Sequence, residues 1–301
     1  MRNYPAAFLG HEWTSADGLK LYYRDYSGGE PGRPPILCLP GLTRNSRDFE
    51  PIANAFAGEW RVICPDLRGR GQSDYAKDPA TYQPMQYVAD ILGLLDHLGL
   101  ERVVSLGTSL GGIVTMLLAM QKPERLAGVV LNDIGPEINP EGLARIRTHV
   151  GQGRSFPTWM HAARGAREIG GVAHPDFVLA DWLRFAKKLM DVGPGGRIVF
   201  DYDMKIAEPF NAPSSGPPVD FWPAFRALAG RPVLTIRGEL SDLLTAEVLE
   251  EMAVAMPEMD VCMVSRTGHP PTLEEPVALA AIGRLLIKVD PSFAEVNPGY
   301  A

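Results

Sequence analysis

The chain has 301 residues, a length that fits one large domain or one domain carrying an insertion. Hydrophobic residues make up 46% and charged residues 22%, which excludes extended disorder and leaves apolar material for a sizeable core. The formal net charge of −7 speaks against a general nucleic-acid or anionic-membrane partner, because both select a basic face.

Apolar β-branched runs alternate with helical patterns from the start. Trp13 to Tyr26 reads as a hairpin turning at Asp17-Gly18. Pro35 to Leu39 is a short buried strand that stops at Pro40-Gly41, and a helical stretch runs near Ser46 to Phe56. Arg61 to Cys64 is the next strand. Between Met85 and Leu98, Val88, Ile91, Leu92, Leu95 and Leu98 share one helical side. Val103 to Leu106 is a strand, Leu110 to Met120 an apolar helix, and Val129 to Leu131 a strand again.

This alternation predicts an α/β fold with a mostly parallel sheet covered by helices on both faces. From Pro136 to Pro223 the strand signals stop. Amphipathic patches near Gly142–Val150, Pro157–Ala166 and Phe177–Met190 are punctuated by Gly193 to Gly196 and by Pro213 to Pro218. Alternation then resumes with strand Val233–Ile236, helix Ala246–Ala255, strand Val261–Val264 and helix Pro276–Leu286, and Asp290 to Ala301 reads as a tail. The expected organisation is a core domain of residues 1–135 and 224–301, interrupted by a helical cap of residues 136–223.

The three cysteines, Cys38, Cys64 and Cys262, are far apart and show no zinc-ligand spacing. Cys38 and Cys64 lie in strand-like runs as buried thiols, which fits a reducing cytosol. Met1 to Trp13 lacks the apolar core of a signal peptide, and no stretch approaches the ~20 apolar residues that span a bilayer. A cytoplasmic protein is expected. With no metal-ligand spacing and no dinucleotide fingerprint, neither metal nor cofactor is expected.

The sharpest chemical signal is Gly107-Thr108-Ser109-Leu110-Gly111, directly after a strand and directly before a helix. A residue on such a tight turn adopts a strained backbone, and flanking glycines give the room it needs. Serine Oγ is then lifted above the strand ends, next to the free N–H groups of a helix start. A serine hydroxyl needs a base, and the base needs a carboxylate to orient it.

Of the six histidines, His97 sits late on a helix, and His149, His161 and His174 fall in the insertion with solvated or substrate-lining roles as the default. His269 instead follows strand Val261–Val264 by a short loop, at the sheet edge where open parallel sheets place their sites. For the acid, Asp242 and Asp133 compete, with Glu239 a third option; all follow strand ends. Asp242 is preferred because it lies one strand–helix unit before His269. The oxyanion donors are expected to be the amides of Leu110 and of Leu42, the latter in the loop after Ile36–Leu39.

Taken together, Pro40-Gly41-Leu42, the Asp66-Leu67-Arg68-Gly69-Arg70-Gly71-Gln72-Ser73 run, Gly107 to Gly112, Gly238 to Asp242 and Gly268-His269 resemble the α/β-hydrolase fold family, in its capped, carboxylesterase-like branch. The resemblance covers Trp13 to Val289. It implies that the Asp66–Ser73 run is architectural. The family often has His-Gly where this chain has Pro40-Gly41.

Family members that act on halides or epoxides use Asp at the nucleophile position, and Ser109 speaks against both. Carbon–carbon hydrolases keep the serine but typically have Trp after the histidine, where this chain has Pro270. Enol-lactonases and cofactor-free perhydrolases share the triad, and ligand receptors of this fold form a different class. The most economical expectation is a serine hydrolase acting on a small-molecule carboxylic ester through Ser109, His269 and Asp242. Cap aromatics, with Trp159 and Trp182 as candidates, would line an apolar substrate pocket.

Overall fold

The computed structural model describes residues 6–212 and 219–300, so the Pro213 to Pro218 stretch lies outside the described residues. The Asp17-Gly18 turn joins β1 (Leu9–Thr14) to β2 (Lys20–Tyr26) as an antiparallel hairpin. Next come β3 (Ile36–Leu39), β4 (Val62–Pro65), β5 (Val103–Thr108) and β6 (Leu126–Asn132), in which every residue is buried. Strands enclosed on both faces read as continuous apolar runs rather than alternating ones.

Helices α1 (Glu50–Phe56), α2 (Pro84–His97) and α3 (Leu110–Gln121) connect them. The segment after β6 holds α4 (Pro140–Arg147), β7 (Ser155–Phe156), α5 (Trp159–Gly170), α6 (Leu179–Leu189), β8 (Met190–Val192), β9 (Ile198–Phe200), α7 (Ala207–Asn211) and α8 (Trp222–Arg226). The chain then returns to the sheet through β10 (Val233–Gly238), α9 (Ala246–Ala255), β11 (Asp260–Val264) and α10 (Pro276–Val289).

The main sheet has eight strands in the order β1-β2-β4-β3-β5-β6-β10-β11, parallel from β4 onward. Side chains alternate between its two faces. Leu37 and Leu39 join a core under α2, α3, α8 and α9, whereas Ile36 and Cys38 join one under α1 and α10. Cys38, Cys64 and Cys262 are all free and buried, and burial pushes the Cys38 thiol well above its ordinary value.

The Asp66–Ser73 run is architectural in its contacts. Asp66 accepts the Ser46 and Gln72 amides, at 2.6 and 3.0 Å, and Arg68 is buried between Asp90 and Asp17. The C-terminal stretch differs from the expected tail. It folds back as α11 (Phe293–Val296), with Phe293 buried against Phe56 and Trp60, and Arg33 bonded to Asp290. Two aromatic residues, Phe293 and Tyr300, give that short stretch enough apolar surface to dock.

The inserted segment is not purely helical. β7, β9 and β8 form a small antiparallel sheet whose strands are too short to leave a periodic signal. Beneath it, α5 presents Ala162, Ala163 and Ala166, small residues that admit the Trp182 ring of α6. Trp182 is 2% exposed and packs edge-on to Phe177 and Phe185. Trp182→Ala is expected to destabilise the protein by about 3–5 kcal/mol, the usual cost of emptying an aromatic site in a core. Urea denaturation measures it, and a loss under about 1 kcal/mol would show that α5 and α6 hold together without this ring.

Candidate active site

Ser109 occupies the turn between β5 and α3 with φ at 51°, a left-handed conformation rare for a side-chain-bearing residue. Glycine on either side makes the turn possible. A Cβ on Gly107 would collide with the backbone of Gly111, and a Cβ on Gly111 with the Leu39 carbonyl. The Ser109 amide donates to the Asn132 carbonyl at 3.0 Å, which ties the turn to the end of β6.

His269 Nε2 lies 3.0 Å from Ser109 Oγ, and His269 Nδ1 lies 2.8 Å from Asp133 Oδ2. An ionised carboxylate only accepts, so Nδ1 carries the proton and Nε2 is left to accept the serine hydroxyl. Asp133 is fully buried, directly after β6, at φ 59°. It also accepts from the Gly238 amide at 2.9 Å and from Ser241 Oγ at 2.7 Å.

The preference for Asp242 is therefore corrected: the structure puts Asp133, not Asp242, on His269. Gly238 ends β10, and the following turn aims Ser241 inward and Asp242 outward. Asp242 instead forms a bidentate pair with Arg145 of α4, with Nη2 to Oδ1 at 2.8 Å. That hydrogen-bonded guanidinium holds the Asp242 carboxyl below the usual carboxylate range. Glu239 is engaged elsewhere, accepting the Arg266 amide at 2.7 Å. The available signal for Asp133 was its place immediately after β6, the strand beside the one that carries Ser109.

Ser109 and His269 open into a cavity of about 200 Å³. Leu42 lines it, and its carbonyl is held by the buried Arg70 Nε at 2.9 Å. Leu110 is the first residue of α3. From the inserted segment the cavity receives Ile146, Val150, Ile169, Phe185, Leu189 and Tyr202.

Neither Trp159 nor Trp182 lines it, which corrects that expectation. Trp182 is buried in the insertion's own small core, and the half-buried Trp159 packs against that core. His149 and His174 do line it. His174 stacks on Phe177 with ring centroids 4.5 Å apart. Burial first, then the charges of Arg44 and His269, push its imidazole down to about 4.

A serine, a histidine and a buried carboxylate in series at the strand ends of a mostly parallel sheet define an α/β protein with a serine-type site. Comparison with known proteins agrees. The protein-family model for the alpha/beta hydrolase fold matches residues 34–169. The chain is 33% identical over 272 residues to a 3-hydroxybutyrate-oligomer hydrolase of Cupriavidus necator, covering 87% of this chain and 90% of that protein. It is 29% identical over 237 residues to a 2-(acetamidomethylene)succinate hydrolase of Mesorhizobium japonicum, covering 78% and 81%. The crystal structure of an alpha/beta hydrolase from Novosphingobium aromaticivorans superposes with a TM-score of 0.90 at 58% identity, covering 94% of this chain and 99% of that one. The chain belongs to the alpha/beta hydrolase fold family and is a hydrolase. Among the described residues no helix is long and apolar enough to cross a membrane.

The depressed His174 carries a pH signature. The unfolded chain binds a proton at this group near pH 6.5, and the folded chain only near 4, so stability falls as pH drops through that window. The slope from one such group reaches about 1.4 kcal/mol per pH unit. His174→Phe is expected to flatten this limb relative to wild type in urea melts between pH 7 and 4.5. Equal slopes would mean His174 protonates as freely folded as unfolded.

Proposed function

We propose that the protein hydrolyses carboxylic esters through an acyl-enzyme formed on Ser109. The observation that carries this reading is the continuous chain from Ser109 Oγ through His269 to the buried Asp133, at 3.0 and 2.8 Å. His269 Nε2 takes the hydroxyl proton as Oγ adds to the ester carbonyl. Asp133 stabilises the imidazolium and keeps its tautomer. The oxyanion is received by the amides of Leu42 and Leu110. Arg70 supports that assignment by fixing the Leu42 carbonyl, as does Gly41, where a Cβ would stand 3.9 Å from that of Ser109. His269 then returns the proton to the leaving alkoxide, and water repeats the sequence to release the acid.

The insertion acts in this reading as a cap. It supplies apolar wall while Ser109, His269 and Asp133 come from the sheet domain. Similarity to the Cupriavidus protein, whose name specifies 3-hydroxybutyrate oligomers, supports short hydroxyacyl esters as the substrate class.

The test is a panel of p-nitrophenyl acetate, longer p-nitrophenyl esters, a lactone and a 1,3-diketone. Turnover of the esters is expected. Cleavage of the diketone or lactone without ester turnover would overturn the ester reading. Ser109→Ala is expected to lower kcat on the order of 10⁶-fold. Asp133→Asn is expected to lower it by about 10⁴-fold through the wrong histidine tautomer, and Asp242→Asn far less. The opposite ranking of the two aspartates would return Asp242 to the relay.

A further inference from the structure

The cavity wall has an unusual charge for an acidic chain. Arg44, Arg145 and Lys188 face it, against one carboxylate, Asp48. The counter-ions divide these cations. Arg44 is held by Asp48, which itself lines the cavity, so an entering anion meets both signs. Lys188 gives its ammonium to Glu274 at 2.6 Å. Arg145 engages Asp242 through Nε and Nη2, and Asp242 stands outside the cavity wall. Among the described residues no partner takes the remaining donors of Arg145 Nη1.

Arg145 is also held in place by its helix. The Asn139 amide, at the start of α4, bonds the Leu243 carbonyl at 3.0 Å. One turn on, a Cβ on Gly142 would collide with the Asp242 carbonyl, so only glycine lets α4 lie on this loop. Arg145 follows one further turn along and Ile146 and His149 after it, placing a guanidinium, an apolar side chain and an imidazole along one stripe of the cavity.

Resting on the ester-hydrolase reading above, we propose that Arg145 is the anchor for a carboxylate on the substrate, so that the preferred esters are acid-bearing ones such as linear hydroxyacid oligomers with a free terminal carboxylate. A guanidinium already paired along one edge presents the other edge as a planar donor to a second carboxylate. His149 reports the same local field: burial first, then Arg145 and Arg154, push its imidazole down.

The experiment compares a linear 3-hydroxybutyrate dimer with the same dimer carrying a terminal carboxamide, with p-nitrophenyl acetate as the ester control. Both dimers contain the same scissile ester and differ in one charge. The wild type is expected to favour the acid about tenfold or more in kcat/KM, the range of a charge-assisted hydrogen bond. Arg145→Gln is expected to lower that ratio about tenfold, chiefly through KM, and Arg145→Lys to restore part of it. Asp242→Asn, which frees the guanidinium from its counter-ion, is expected to keep or raise the ratio. A purely structural ion pair would instead make Arg145→Gln and Asp242→Asn lower it alike, and that result would overturn the proposal. An acid-to-amide ratio near one, or no turnover of the acid dimer by a protein that cleaves p-nitrophenyl acetate, would overturn it and leave the ester reading intact. Loss of all three activities in wild type would defeat the ester reading itself.

Discussion

The carboxylate of Asp133 is fully buried, pairs with no Lys or Arg among the described residues, and is satisfied by three donors from two other segments of chain. An isolated buried charge is costly, and such an arrangement persists only when each lone pair finds a well-placed donor. Gly238 and Ser241 reach it from the end of β10 and His269 from the loop after β11. Their convergence requires β6, β10 and β11 to lie side by side, as they do. Ser109 joins the same frame through the hydrogen bond its amide donates to the carbonyl of Asn132, the residue before Asp133. The local geometry of the site is thus a consequence of sheet order: four consecutive strands, β5, β6, β10 and β11, each deliver one part of it.

Moving the histidine's acid to β6 leaves Asp242 available for another task. Its carboxylate faces α4, and the pair with Arg145 links the insertion to the loop after β10. Further contacts fasten the rest of the insertion around the site. The Gly268 amide, next to His269, donates to the Ala173 carbonyl at 2.7 Å. Arg47 pairs with Asp201 at 2.6 Å, and Tyr82 donates to Asp203 at 2.7 Å. These bonds tie the insertion to loops of the sheet domain at several points.

What was legible in the sequence follows from the range of the forces involved. The Gly107–Gly112 turn is specified by local sterics, and its residues announce it. In α2, Val88, Ile91 and Leu95 are fully buried, as their helical spacing predicts, because one face packs on one surface. The choice between Asp133 and Asp242 was not local. It depends on a three-residue turn that directs Ser241 inward, and on Arg145, remote in sequence, capturing the outward carboxylate. The roles of Trp159 and Trp182 are not local either. Large aromatics in a small layer are needed first to hold that layer together, and composition alone does not separate this from lining a pocket. Strands of two or three residues, such as β7 and β8, fall below the length at which alternation is visible.

The distribution of charge in the cavity completes the physical picture. Behind the cavity the carboxylate of Asp133 is buried on His269, and catalysis in the proposed reading adds a transient oxyanion nearby. A substrate that brought a further carboxylate into this space would be repelled unless the wall answered it. In the proposed reading Arg145 supplies that answer without touching the proton relay, because it is tied to Asp242 rather than to His269. Burial pushes the imidazoles of His174 and His149 down, and an added imidazolium on His174 would oppose the positive charge that His269 acquires during proton transfer. The burial that makes those imidazoles reluctant to protonate is therefore of one piece with the relay it surrounds.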